Sequence, residues 1–238
     1  MAQALRTSVA GRILGLMVLA VALGHVEACV VAYLRQAAAP VRELHFPEAV
    51  REPLPLLSRA QLAQAGREVE SLLGFEVARE VTVLLVLFAA AYGFRRRPGE
   101  LAGFFLLGFA VWDIFYYVFL KLMLNWPASL GTWDILYLIP VPWLAPVWAP
   151  LLVSGTLLVA SLFMLTRRPS AAAARGGLAP GVVIFVGVGG ILSSFLLRWP
   201  EAMEAVPARF DWPLFLAGWL VGVAGLVWWF AQPSAARR

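Results

Sequence analysis

Six long blocks of apolar residues follow one another along the chain, and the segments between them carry most of the charged residues. A hydrocarbon core of about 30 Å requires roughly 17 to 25 helical residues, and each block falls in that range. The pattern therefore predicts an all-α polytopic membrane protein, with one transmembrane domain over residues 1–238. The six predicted helices span residues 13–34, 75–94, 101–124, 142–165, 180–197 and 213–231.

Composition supports this prediction and excludes two other classes of protein. Apolar residues make up 61% of the chain and charged residues 14%, whereas soluble domains are about half apolar and a quarter charged. The net charge of +5 comes from short basic clusters between the apolar blocks, so we expect no nucleic-acid partner. With Cys29 as the only cysteine, no disulfide can form within the chain.

The basic clusters also predict an orientation, because short cytoplasmic loops are enriched in Lys and Arg. With both termini in the cytoplasm, ten basic residues lie inside and seven outside. We therefore expect an N-in, C-in protein of the cell inner membrane. Two alternatives concern the first helix: a signal peptide cleaved near residues 37–39, or a lipoprotein processed at Cys29. The apolar run is longer than the core of a signal peptide, which favours a retained helix.

Two connections on the outer side have predicted structure of their own. The loop over residues 35–74 is expected to contain an interfacial helix at residues 59–73 that continues into the second span. Residues 126–141 are expected to form an interfacial or re-entrant segment. In that segment, Thr132 would cap a short helix that begins at Trp133 and stops before Pro140.

Ionisable groups inside the predicted helices are the strongest functional signal, because a central charge costs about 2.5 to 3.5 kcal/mol on insertion scales. With the orientation above, they fall in the outer half of the membrane. Residues four apart share a helix face, so Glu76 lies with Glu80, and Asp113 lies in a stripe with Tyr117 and Lys121. The ligand-binding candidates are Glu27, Glu76, Arg79, Glu80, Asp113, Tyr117, Lys121 and Asp134.

This cluster has more than one interpretation. It can be a structural network in which Arg79 pairs with Glu27 and Lys121 pairs with Asp113. Its excess of carboxylates can be relieved by protonation or by a bound cation. We assign no metal ligands, since His25 and Glu27 point to nearly opposite helix faces, and the sequence identifies no cofactor. Motifs of common hydrolases, nucleotide-binding proteins and zinc proteases are absent from the sequence.

The segment between residues 111 and 150 contains the runs WDIFYY and WDILYLIPVPW. Together with Glu27 and the Arg79 and Glu80 pair, they resemble an uncharacterised family of bacterial multi-pass membrane proteins. A fainter likeness is to membrane-embedded lycopene cyclases, through Asp113 and the Gly131 and Thr132 pair. In the position of the acid motif of those cyclases, this chain has Pro and Trp.

The leading hypothesis is a polar pocket that binds a small ligand or ion, or a subunit role in a membrane complex. Gly218 and Gly222 have the spacing that allows helices to approach closely, and they are the candidate contact with other membrane subunits besides the lipid bilayer. The alternative is an intramembrane enzyme that acts on a lipid or isoprenoid, with Glu80 or Asp113 as general acid. A transporter is disfavoured because helices 4 to 6 offer no charged lining.

Overall fold

The computed structural model describes residues 8–45, 67–138, 141–166, 178–197 and 209–232. Two long helices come first, and a 3-10 turn at Pro98–Glu100 leads from the second into the third. A two-stranded hairpin separates the third and fourth helices. The elements are α1 Val9–His45, α2 Arg67–Phe94, α3 Leu101–Leu124, β1 Trp133–Tyr137, β2 Trp143–Pro146, α4 Trp148–Thr166, α5 Leu178–Leu196 and α6 Trp212–Ala231.

In the described part of the chain, six helices are long and apolar enough to cross a membrane, which confirms the predicted all-α multi-pass fold. The outward faces of these helices are apolar as well. Leu85 on α2 and Phe185 on α5 are 62% and 78% exposed, which suits lipid contact and would be costly in water. The spans are Val9–Gln36, Gly74–Phe94, Pro98–Leu124, Trp148–Thr166, Leu178–Leu196 and Trp212–Ala231.

Helix α3 is the centre of the bundle, and it packs against α1, α2 and α4. Leu16, Leu87 and Phe104 from the first three helices meet in a fully or almost fully buried core. Helix α1 approaches α3 closely at Gly24, where a Cβ atom would lie 2.9 Å from the carbonyl oxygen of Trp112. Small residues therefore set the distance between these two helices.

Helices α5 and α6 form a tight pair that contacts the rest of the bundle through β2 and α4. Gly218 and Gly222 of α6 lie against Gly187 of α5, and a Cβ atom on Gly218 would lie 2.7 Å from the backbone nitrogen of Ile191. The predicted close-packing role of the two glycines is thus fulfilled inside the chain. Both are buried there, so they are not exposed to a second subunit.

The connection between α3 and α4 differs from the prediction of a short helix that begins at Trp133. Residues of this segment form an antiparallel hairpin instead, in which Asp134 pairs with Ala145 and Ile135 with Leu144. The side-chain oxygen of Thr132 accepts a hydrogen bond from the backbone nitrogen of Ser129, so it closes a turn and caps no helix. Aromatic and β-branched residues favour extended backbone, and the two strands satisfy each other's backbone groups.

Several predicted bounds are also corrected. Helix α4 begins at Trp148 because residues 143–146 form β2, so the predicted start at residue 142 is wrong. Helix α1 continues to His45 and α2 begins at Arg67, although 35–74 was expected to be a loop. The predicted interfacial helix at 59–73 belongs to α2 from Arg67 onwards, and its first part lies outside the described residues.

Candidate functional site

A cavity of about 480 Å³ lies at the end of the bundle where the hairpin meets the helices. Its volume is typical of sites that hold small molecules. Helices α1 to α5 and the hairpin all contribute to its lining, whereas the described residues of α6 contribute none. The ionisable and polar lining residues are Glu27, Arg35, Glu76, Arg79, Glu80, Asp113, Tyr116, Tyr117, Asp134, Tyr137 and Ser154.

Seven of the eight candidate residues line this cavity, and Lys121 is the exception. The ammonium group of Lys121 donates to the carbonyl oxygens of Pro127 at 2.9 Å and Asn125 at 3.4 Å. Asp113 instead accepts a hydrogen bond from Ser154 at 2.7 Å, so the predicted pair of Lys121 with Asp113 is wrong. Eight residues rotate a helix about 80° beyond two full turns, which carries Lys121 away from the face of Asp113.

Arg79 is the centre of the ion-pair network on the α1 and α2 side. Its guanidinium contacts Glu27 of α1, which confirms the predicted pair. It also donates from Nε to Glu76, one helical turn earlier on α2, at 2.9 Å. Because Glu27 is 7% exposed and Arg79 lies between two carboxylates, this arginine neutralises charge that the low dielectric would otherwise penalise.

Glu80 joins α2 to the hairpin. Both of its carboxylate oxygens lie 3.0 Å from the backbone nitrogen of Leu138, the residue that follows β1. The side chain is 7% exposed, so this contact satisfies a backbone donor that the strand ladder leaves free. Sequence reasoning placed Glu80 in the cluster but gave no indication of this backbone partner.

Asp134 of β1 joins the hairpin to α3. The hydroxyl of Tyr117 donates to its Oδ2 atom at 2.8 Å, and the aspartate is 4% exposed. Burial raises the pKa of Asp134 to about 7, although the Tyr117 hydrogen bond acts in the opposite direction. Burial also raises the pKa of Tyr137 on the same strand, so its phenol stays neutral.

Four buried polar atoms around the cavity have neither a hydrogen-bond partner nor an ion-pair partner in the described part of the chain. They are Nε1 of Trp112, Nε1 of Trp143, the hydroxyl of Tyr137 and Nε of Arg35. Arg35 also lies over the ring of Trp126, with its guanidinium carbon 4.1 Å from the ring centroid. Buried donors are rarely left unpaired, so these atoms need an explanation.

Sequence reasoning missed these donors and the Ser154 hydroxyl as site residues. Arg35 was assigned to the outer loop, but α1 continues past it, and its side chain lines the cavity. Trp143 has an ordinary interpretation as an aromatic anchor at a membrane boundary, which gives no indication of a site. No spacing or motif in the sequence distinguishes these side chains from ordinary interfacial or packing residues.

The opposite wall of the cavity is apolar. Helix α3 contributes Phe109, α4 contributes Leu157, and α5 contributes Val188, Ile191 and Leu192. Helix α5 thus supplies three of these five residues. The site is thus amphiphilic, with charged and hydrogen-bonding groups on one side and a hydrocarbon-like surface on the other.

A second buried ion pair lies at the other end of the bundle. Arg12 of α1 donates to both oxygens of Glu100, at 2.7 and 3.2 Å, and to the carbonyl of Phe94 at 2.9 Å. The cation also lies 5.1 Å from the ring centroid of Phe104. This pair fixes the turn between α2 and α3, and neither Arg12 nor Glu100 lines the cavity described above.

Within residues 8–45, 67–138, 141–166, 178–197 and 209–232, no group of three or more His, Cys, Asp or Glu residues is placed to hold a metal ion. His25 and Cys29 contact one another one turn apart, with the sulfur 3.8 Å from Nε2, and neither lines the cavity. The cavity itself has the composition of a site for an organic molecule.

Comparison with protein-family models, with curated proteins and with solved structures finds no match to this chain. The functional argument therefore depends on the cavity and its lining residues.

Proposed function

We propose that the chain is a multi-pass membrane protein that binds a small amphiphilic molecule in the cavity below the hairpin. The observation that carries this proposal is the continuity of an ionisable wall and an apolar wall around one cavity of about 480 Å³. A molecule of that character would bury its apolar part against α4 and α5, where transfer from water is favourable. Its polar part would lie against α1, α2 and the hairpin.

A bound organic molecule fits the site better than a bare ion. Glu80, Asp113 and Asp134 each already accept a hydrogen bond from a protein donor, and Glu27 is paired with Arg79. A metal ion would have to displace these partners, whereas an organic molecule can use the free space beside them.

The proposal is tested by identifying what copurifies with the protein in mild detergent. Leu157→Trp is designed to fill the apolar side of the cavity, and Leu85→Trp is the matched control on the lipid-facing side of α2. Mass spectrometry should find a bound molecule in the wild type and in L85W, and a much smaller amount in L157W. Equal occupancy in L85W and L157W, or no bound molecule in any folded form, would overturn the proposal.

A second candidate function is catalysis on a lipid or isoprenoid, and the position of Asp113 favours it. This carboxyl group lines the cavity with Ser154 as its hydrogen-bond partner, in a lining that also includes the apolar Phe109. A general acid in such a place could protonate an otherwise unreactive substrate. If Asp113→Asn protein copurifies with a different molecule from the wild type, the two molecules are substrate and product. The same molecule in both forms would argue for binding alone.

For location we propose the inner membrane, with the N-terminus and C-terminus in the cytoplasm and the cavity toward the outer side. The asymmetry of basic residues supports this orientation. A reporter that is active only in the cytoplasm should be active when it is fused after Arg238. A fusion that is active only outside the cytoplasm would reverse the assignment.

A further inference from the structure

In the cavity, several hydrogen-bond donors lack a partner, whereas the carboxylate acceptors have one. This difference limits the chemical classes of ligand that fit the site. The inference rests on the proposed function, since it concerns the molecule that fills the same cavity. The Nε1 atoms of Trp112 and Trp143 and the Nε atom of Arg35 are donors only, and each is buried without a partner. The Tyr137 hydroxyl is buried and unpaired in the same way. Trp112 as a whole is only 6% exposed, so water does not reach it freely.

The acceptors of the cavity, by contrast, have partners. The carboxylates of Glu80, Asp113 and Asp134 accept hydrogen bonds from protein donors at 2.7 to 3.0 Å. Glu27 and Glu76 both contact the guanidinium of Arg79. A ligand that enters this site therefore meets donors without partners and acceptors that already have them.

An anionic headgroup would be the simplest source of acceptor atoms, but the charge of the cavity lining disfavours it. Even with Asp134 protonated, four carboxyl groups line the cavity against the two guanidinium groups of Arg35 and Arg79, so an anionic headgroup would be repelled in a low dielectric. A cationic headgroup would be attracted by the carboxylates. It carries only donors, however, and would leave the indole and phenol groups unpaired at a cost.

We propose that the ligand is a neutral, lipid-soluble molecule whose polar end carries carbonyl oxygens, bound by the indole nitrogens of Trp112 and Trp143 and the hydroxyl of Tyr137. Ketones, quinones and esters belong to this class. The apolar part of the molecule lies along Leu157 and Ile191. A carbonyl oxygen has two lone pairs, so one such group can accept from two of these donors.

A series of probes with one chain length and different ends tests this assignment. Wild-type protein in lipid nanodiscs is titrated with 2-undecanone, undecane and undecylamine, and binding is measured from the rise in thermal stability. The ketone should bind about tenfold more tightly than either of the other two, as expected for one or two additional hydrogen bonds in a buried site. Tyr137→Phe should weaken ketone binding roughly fivefold and leave undecane binding unchanged.

Tyr33→Phe is the matched control, because Tyr33 is 67% exposed on α1 and does not line the cavity. Trp143→Phe is the second variant if Tyr137→Phe fails to fold, and the same loss is expected from it. If the amine or the alkane binds as tightly as the ketone, the ligand class is wrong while the cavity remains a binding site. If none of the three probes stabilises the folded protein, the proposed function itself fails. A ketone preference that is identical in Y33F and in the variants of the donors would overturn the assigned residues.

Discussion

The ion pairs of Arg79 with Glu27 and Glu76 predict that substitution of Glu27 changes the free energy of unfolding in opposite directions with and without Arg79. Removal of this arginine leaves Glu27 and Glu76 close together without a cation, and Glu27 is only 7% exposed. Loss of one partner from a buried pair costs roughly 3 to 5 kcal/mol, so Arg79→Gln should lower the free energy of unfolding by about that amount. Glu27→Gln should cost less, roughly 1 to 2 kcal/mol, because Arg79 keeps its contact with Glu76.

The double variant distinguishes this arrangement from independent contacts. In the R79Q background, Glu27→Gln removes one of two uncompensated carboxylates, so it should raise the free energy of unfolding. Unfolding in mixed detergent micelles, followed by circular dichroism, measures all four free energies. Arg96→Gln is the control, since Arg96 is exposed beyond the end of α2. If Glu27→Gln costs the same in both backgrounds within about 0.5 kcal/mol, the three side chains do not act as one network.

Three further predictions concern other parts of the bundle. Gly218→Leu should abolish the close contact of α5 and α6 and lower the thermal midpoint strongly, whereas Gly189→Ala on the open side of α5 should change it little. Because burial raises the pKa of Asp134 from 3.8 to about 7, the folded state holds a proton that the unfolded state releases between those values. The Asp134 carboxyl should therefore contribute a fall of up to roughly 4 kcal/mol in the free energy of unfolding as pH rises across that window, and Asp134→Asn should remove that contribution. Arg12→Gln should leave Glu100 without its cation and cost about 3 kcal/mol in the same denaturation assay, and a cost below 0.5 kcal/mol would refute a structural role for the pair.

The number of spans and the polar layer were predictable from the sequence because both follow from rules that act along one helix. Hydropathy over about 20 residues identifies a span, and a repeat of 3.6 residues identifies a shared face. Those two rules placed Glu27, Arg79 and Glu80 at the same end of the bundle, and the pair of Arg79 with Glu27 is present in the structure.

The rules fail where a structure depends on residues far apart in the sequence. The hairpin requires Ile135 to pair with Leu144, and a short apolar run by itself is equally compatible with a helix. The error over Lys121 has a different source, since a stripe of residues four apart drifts around the helix after two turns. Trp143 was not recognised as a donor because an indole near a membrane boundary has an ordinary interpretation as an interfacial anchor.

The hairpin also changes the interpretation of Glu80. The sequence made this residue a candidate general acid, on the argument that a membrane carboxyl group is costly unless it has a function. In the structure, both of its oxygens face the backbone nitrogen of Leu138, where β1 ends and pairing with β2 stops. A carboxylate that accepts this bond satisfies a backbone donor at the end of the ladder, which is a structural role in itself.

A general acid, on the other hand, must point its proton at a substrate. Asp113 fits that requirement better, because Ser154 donates to one of its two oxygens and the residue lines the cavity together with the apolar Phe109. The Glu80→Gln and Asp113→Asn variants therefore distinguish the roles of the two acids. Glu80→Gln keeps an acceptor for Leu138 and should retain the bound molecule, whereas chemistry in this cavity, where it occurs, should depend on Asp113.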